Sequence, residues 1–235
     1  MIEKGHFFIF LTFIYHSILY IKYLNMKNLI VFASGSGTNA ENIIRYFNSS
    51  NFAKVSFIVS NKSDAFVLKR AEMLNIKTIV FDKKDFYESN IVLDFLLNEN
   101  PDLIILSGFL LLIPYNIVSA FPKRIINIHP ALLPEYGGKG MYGDNVHKAV
   151  LEDKKPESGI TIHYVNENYD DGDIIFQKKC PVFPDDTISS LANRIHALEY
   201  EFFPKVIEEE LRRLPPAPSE RGGDHGSPVK PVSIN

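Results

Sequence analysis

From residue 29 onward, short apolar runs of strand length alternate with longer amphipathic stretches, and this alternation sharply limits the possible folds. Residues 29–33, 55–60, 78–81, 103–106 and 125–128 are rich in Val, Ile, Leu and Phe, as expected of strands buried on both faces. Helical stretches near 39–47, 65–74, 86–98 and 114–120 lie between them. Strand–helix–strand order joins parallel neighbours. Beyond residue 134 the pattern changes. Residues 158–165 and 173–181 read as a longer strand pair around the polar loop 166–172, and a final helix covers 188–213, with Pro204 expected to kink or interrupt it. The expected class is α/β: a Rossmann-like open, mostly parallel sheet with helices on both faces and a C-terminal strand pair plus helix. Ligands in such sheets sit outside the carboxyl ends of the strands. Polar segments follow the first, fourth and fifth strands, so a site belongs there.

The segment at the fifth strand is Ile126-Asn127-Ile128-His129-Pro130-Ala131-Leu132-Leu133-Pro134. Asn127 and His129 stand two positions apart, so both project from one side of the strand. Pro130 cannot donate to a ladder and ends it. An amide can donate to a developing oxyanion and an imidazole can transfer a proton. Downstream, Tyr169-Asp170-Asp171-Gly172-Asp173 gathers three acids around one glycine; on residues alone this is a solvated or cation-binding turn.

After the first strand comes Ser34-Gly35-Ser36-Gly37-Thr38-Asn39, which opens a helix. Its glycines permit tight turns, and a helix N-terminus offers unpaired N–H groups to a phosphate. Gly35-x-Gly37-x-x-Ala40 also satisfies a dinucleotide fingerprint. That fingerprint needs an acid at the end of the second strand. Here Ser60-Asn61-Lys62 stands there with no carboxylate before Asp64, which disfavours an NAD-dependent dehydrogenase.

The Ile126-to-Pro134 run together with the glycine loop resembles the folate-dependent formyltransferases, over roughly residues 26–211. The resemblance implies 10-formyltetrahydrofolate as co-substrate, no metal, and glycinamide ribonucleotide as acceptor in purine synthesis. Another folate-dependent formyltransferase or a formyltetrahydrofolate hydrolase is the near alternative. It implies that Asn127, His129 and Asp170 are catalytic, with Asp170 raising the His129 pKa to favour imidazolium. By the same resemblance Gly37, Thr38 and Asn39 grip the acceptor phosphate, Gly35 and Ser36 shape the turn, and Glu199 touches the nucleotide. Leu110, Leu111, Leu112 and Ile113, with Asn127, are implied to line the folate pocket, the leucines and Ile113 through backbone groups. Leu111 stands where many relatives carry Arg. Lys84 matches a basic folate-contacting position and reads equally well as a surface lysine. His163 is expected to support the site structurally. The glycine-rich loop 137–143, with Lys139, either closes over the ribose phosphate or is a flexible connection.

With 235 residues and 46% hydrophobic content, the chain can bury one full core. A net charge of -3 disfavours nucleic acid as a partner, leaving small-molecule substrates. The single Cys180 excludes an intrachain disulfide and fits a cytoplasmic setting. No His, Cys or carboxylate spacing suggests a zinc site. Residues 1–25 are apolar but interrupted, and are expected to be an extension outside the fold without stable membrane association, Met26 being the preferred start. Residues 26–213 are expected to form the catalytic domain. Residues 214–235, rich in Pro and Gly, are expected to be a disordered tail. Nothing in the sequence indicates oligomeric state.

Overall fold

The computed structural model describes residues 26–50, 52–215 and 217. The expectations for residues 1–25 and for most of 214–235 lie outside the described residues. Seven strands form one sheet in the order β3-β2-β1-β4-β5-β6-β7. β1 (Lys27–Phe32), β2 (Ala53–Ser60), β3 (Lys77–Val80), β4 (Leu103–Leu106) and β5 (Ile125–His129) run parallel, while β6 (Glu157–Tyr164) and β7 (Ile174–Pro181) are antiparallel additions. The strand order reverses between β1 and β4, creating the crevice in which doubly wound sheets hold ligands.

Alternation along the strands divides the core. Leu29 and Val31 of β1 pack on one face beneath α1 (Thr38–Ser50), α2 (Phe66–Met73) and the long α7 (Ile188–Arg213). Ile30 and Phe32 pack on the other face with Phe86 of α3 (Lys83–Tyr87), Leu96 of α4 (Ile91–Glu99) and Ile117 of α5 (Tyr115–Ala120). A further helix, α6 (Asp144–Glu152), adds Val150 to the first face.

Two expectations about helices are corrected. The stretch 86–98 is not one helix but α3 and α4. Asp82 starts α3 with a capping box to Asp85, and Ser89 then bonds the Asp85 carbonyl (2.7 Å), diverting the chain before α4 begins. Pro204 does not interrupt α7, which runs unbroken for 26 residues with Pro204 buried inside it. Past α7, Leu214 packs against the first core and the Pro215 carbonyl accepts from buried Arg124 (2.7 Å), so the chain is held to the fold slightly beyond residue 213.

Candidate active site

Asn127 and His129 close β5 on the face that also carries Ile125, and cross-strand pairing sets His163 opposite Asn127. Because His129 pairs with Thr161 and Ile126 with Tyr164, β6 leaves the sheet three residues back from His129. Loop 165–173 then lies along that face and brings Asp170 against the strand residues. The Asp170 carboxylate accepts from Asn127 Nδ2 (3.3 Å) and from the Gly138 N–H (2.9 Å), and stands 3.5 Å from His129 Nδ1 and 3.6 Å from His163 Nε2. Gly172 makes the return possible: a Cβ there would stand 1.8 Å from the Tyr164 carbonyl oxygen. Asp170 itself takes a left-handed φ of 53°. Asp171 points elsewhere, accepting from Asn166 and Asn168 within its own loop.

Hydrogen bonds define the tautomers. His129 Nε2 lies 2.7 Å from the Tyr136 carbonyl, which only accepts, so Nε2 carries hydrogen and Nδ1 faces Asp170. His163 Nδ1 likewise donates to the Tyr164 carbonyl (2.8 Å), leaving Nε2 to accept from Asn127 Nδ2 (3.1 Å). His163 thus orients the Asn127 amide, in keeping with its expected supporting role.

Electrostatics corrects one expectation. His129 is 3% exposed, and burial pushes its pKa below the ordinary 6.5, outweighing the raising effects of Asp170 and of the Tyr136 carbonyl. His129 therefore rests neutral at physiological pH, and Asp170 only moderates the drop. Burial raises the Asp170 carboxyl, but the adjoining His163 and His129, when protonated, and the Gly138 N–H outweigh it, so its pKa lies below the usual aspartate value.

These groups line a cleft of about 680 Å³, within the size range of small-molecule sites. Gly35, Ser36, Gly37, Thr38 and Asn39 line it from the β1–α1 turn, Leu110, Leu111, Leu112 and Ile113 from the loop after β4, and Glu199 from α7. Gly37 has φ 74°, and a Cβ on it would sit 2.3 Å from Val67 Cγ2, so the turn and α2 can approach only with glycine there. Asn39 Nδ2 donates to Glu199 (2.8 Å), while Asn39 Oδ1 is buried without a protein partner. Glu199 is 6% exposed, and burial pushes its carboxyl up to about 7 despite the Asn39 bond. Lys84 is exposed on α3 and does not line the cleft. Among the described residues no cluster of His, Cys or carboxylates could hold a metal, and no helix is long and apolar enough to cross a membrane.

Several cleft residues carry no site role legible in the sequence. Lys62 follows β2, His147 lies on α6 and His196 on α7, one turn before Glu199. The spacing of His196 and Glu199, three residues apart on one helix, was the available signal. Nothing local marked His147, which is buried with Nδ1 unpartnered.

A glycine turn at a helix start, an amide and a neutral imidazole beside an ionised carboxylate, all at the crevice of a doubly wound sheet, suit group transfer by an enzyme of the α/β class. The family model described as "Formyl transferase" matches residues 27–207, and the chain belongs to that family. It is 42% identical over 196 residues to the chloroplastic phosphoribosylglycinamide formyltransferase of Arabidopsis thaliana, covering 79% of this chain and 67% of that protein. It is 37% identical to phosphoribosylglycinamide formyltransferase of Haemophilus influenzae, covering 78% and 86%. The solved glycinamide ribonucleotide transformylase 1 of Geobacillus kaustophilus superimposes with a TM-score of 0.72 at 36% identity, covering 79% of this chain and 99% of that one. These likenesses favour formyl transfer over the dinucleotide reading of the glycine turn.

Proposed function

We propose that this protein transfers the formyl group of 10-formyltetrahydrofolate to the amine of glycinamide ribonucleotide, a step of purine synthesis. The observation that carries the reading is the convergence of Asn127, His129 and Asp170 in the cleft shared by the β1–α1 turn and the loop after β4. In this reading the backbone N–H groups of Gly37, Thr38 and Asn39 hold the acceptor phosphate at the start of α1. Glu199 meets the nucleotide, and the unpartnered Asn39 Oδ1 supports a ligand at that end. The backbone of Leu110, Leu111, Leu112 and Ile113 lines the folate side.

The folate supplies an electrophilic formyl carbon. Attack by the neutral amine forms the new C–N bond and places negative charge on the formyl oxygen. Asn127 donates to that oxygen, giving up one of its present bonds to His163 and Asp170. His129 starts neutral with Nδ1 as its proton acceptor, takes the proton from the attacking nitrogen, and returns it to the folate nitrogen as the old C–N bond breaks. Asp170 stabilises the imidazolium formed in between. Holding both substrates in one cleft contributes further through orientation. A cytoplasmic setting accords with the buried, unpaired Cys180.

The test is an acceptor panel. Purified protein is given formyl-folate with glycinamide ribonucleotide, methionyl-tRNA, an amino sugar nucleotide or water alone. Turnover should be confined to glycinamide ribonucleotide, and turnover with another acceptor instead would overturn the reading.

A further inference from the structure

Ser34, just after β1, is 2% exposed and bridges three loops through one hydroxyl. Its Oγ donates to Asn61 Oδ1 in the loop after β2 (2.6 Å) and accepts from the Leu110 N–H in the loop after β4 (3.1 Å). Its backbone N–H donates to the Gly108 carbonyl in that same loop (3.0 Å). The neighbouring glycine turn has separate supports: the Gly35 carbonyl accepts from Val67 N–H, the Ser36 carbonyl from Arg70 Nε, and the Gly37 carbonyl from Glu41 N–H. Loss of the Ser34 hydroxyl would therefore free the Leu110 N–H in the loop after β4 while leaving the glycine turn anchored.

That loop has two further anchors. The Phe109 ring meets Phe32 edge-on at 5.2 Å, and Tyr87 donates to the Leu112 carbonyl (3.0 Å). Between them stands Leu110, whose N–H is oriented by Ser34. Leu110 lines the cleft at 37% exposure, so the Ser34 hydroxyl sets the backbone at the wall itself. We propose that Ser34, oriented by Asn61, is a positioning residue that holds the Leu110–Ile113 wall in the conformation that binds the formyl donor. The inference rests on the proposed function for the identity of that donor.

The experiment compares Ser34→Ala and Asn61→Ala in the full chain, with KM for formyl-folate, KM for glycinamide ribonucleotide and kcat measured separately. Exchange of the Leu110 amide is followed in parallel. Ser34→Ala should raise the folate KM about three- to tenfold, the worth of one hydrogen bond, with the acceptor KM nearly unchanged. Asn61→Ala should raise it in the same direction by less, since the hydroxyl remains but loses its orienting partner. Asn61 does not line the cleft, so its effect separates positioning from direct contact with substrate. Equal rises in both KM values, or no rise in folate KM in a folded variant, would overturn the inference. If Ser34→Ala does not fold, Asn61→Ala decides on the same terms. Failure of the wild type to use glycinamide ribonucleotide would strike the proposed function instead. Leu110 exchange then still decides this inference, and unchanged protection in Ser34→Ala would overturn it.

Discussion

Burial and charge pull His129 in opposite directions, and burial wins. A neutral imidazole beside an ionised aspartate is suited to begin as a base and pass through imidazolium. His129→Ala should lose at least about 10²–10³ in turnover, the scale seen when a preorganised donor at a developing charge is removed. The acid limb of the wild-type pH–rate profile should lie below 6.5. Asp170→Asn deletes the charge that moderates the drop, so that limb should move to still lower pH while kcat falls. Asp171→Asn, which alters only loop bonds to Asn166 and Asn168, should leave the profile in place. An unshifted profile in Asp170→Asn, or a shifted one in Asp171→Asn, would refute the pairing. Glycines at this scale are not equivalent. Gly37→Ala meets Val67 at a left-handed φ and should cost about 2 kcal/mol or more, whereas a Cβ on Gly35 has open space. Thermal unfolding of the two alanine variants measures the contrast.

At the scale of elements, α7 begins with a capping box in which Thr187 Oγ1 accepts from Ser190 N–H (3.1 Å) and Ser190 Oγ accepts from Thr187 N–H (2.9 Å). Asp186 reinforces this end by a paired contact with Arg194, which with Ser190 holds its carboxyl well below the usual carboxylate range. Thr187→Ala should destabilise the protein by about 1 kcal/mol in urea denaturation. Glu199 is three turns further on, where packing with the sheet holds α7, so kcat should not change. A fall in kcat matching the loss of stability would mean that the helix end and the cleft are coupled.

For the whole molecule, buried Glu199 makes stability depend on pH. Its folded pKa of about 7 lies above the reference 4.5, so the folded state favours the protonated acid. The stability this provides is full below pH 4.5 and declines as pH rises, until the folded carboxyl also ionises near 7. The difference corresponds to about 3 kcal/mol at 1.36 kcal/mol per unit. His129 acts oppositely, its pKa being depressed: its contribution is lost as pH falls below 6.5. Glu199→Gln keeps an acceptor for Asn39 and should flatten the Glu199 component, seen as a wild-type-minus-variant stability that falls between pH 4.5 and 7. A flat difference would show that the carboxyl is not buried as described. The seven described strands and the cleft lie within residues 26–217; a chain limited to those residues should fold and retain the kcat of the full chain, and a loss of either would show that the outer segments contribute.

Periodicity and chain chemistry determined much of this protein in advance. Apolar strand runs separated by helical stretches require a parallel sheet, Pro130 ends β5 beside His129, and glycines after β1 shape a tight turn at the start of α1. These are local consequences of side-chain period, a missing backbone donor and a permitted φ. The break between α3 and α4 was also written locally, in Asp82 and Ser89, but was obscured by the longer apolar pattern. Other properties depended on residues distant in sequence. Asp170 rather than Asp171 meets His129 because β6 pairs antiparallel to β5 and its loop folds back along the face. Continuous α7 despite Pro204, the Asn39–Glu199 bond and the exclusion of Lys84 from the cleft likewise follow from packing. The protonation states of His129 and Glu199 belong to the same group, because burial sets them and burial exists only once the chain has folded.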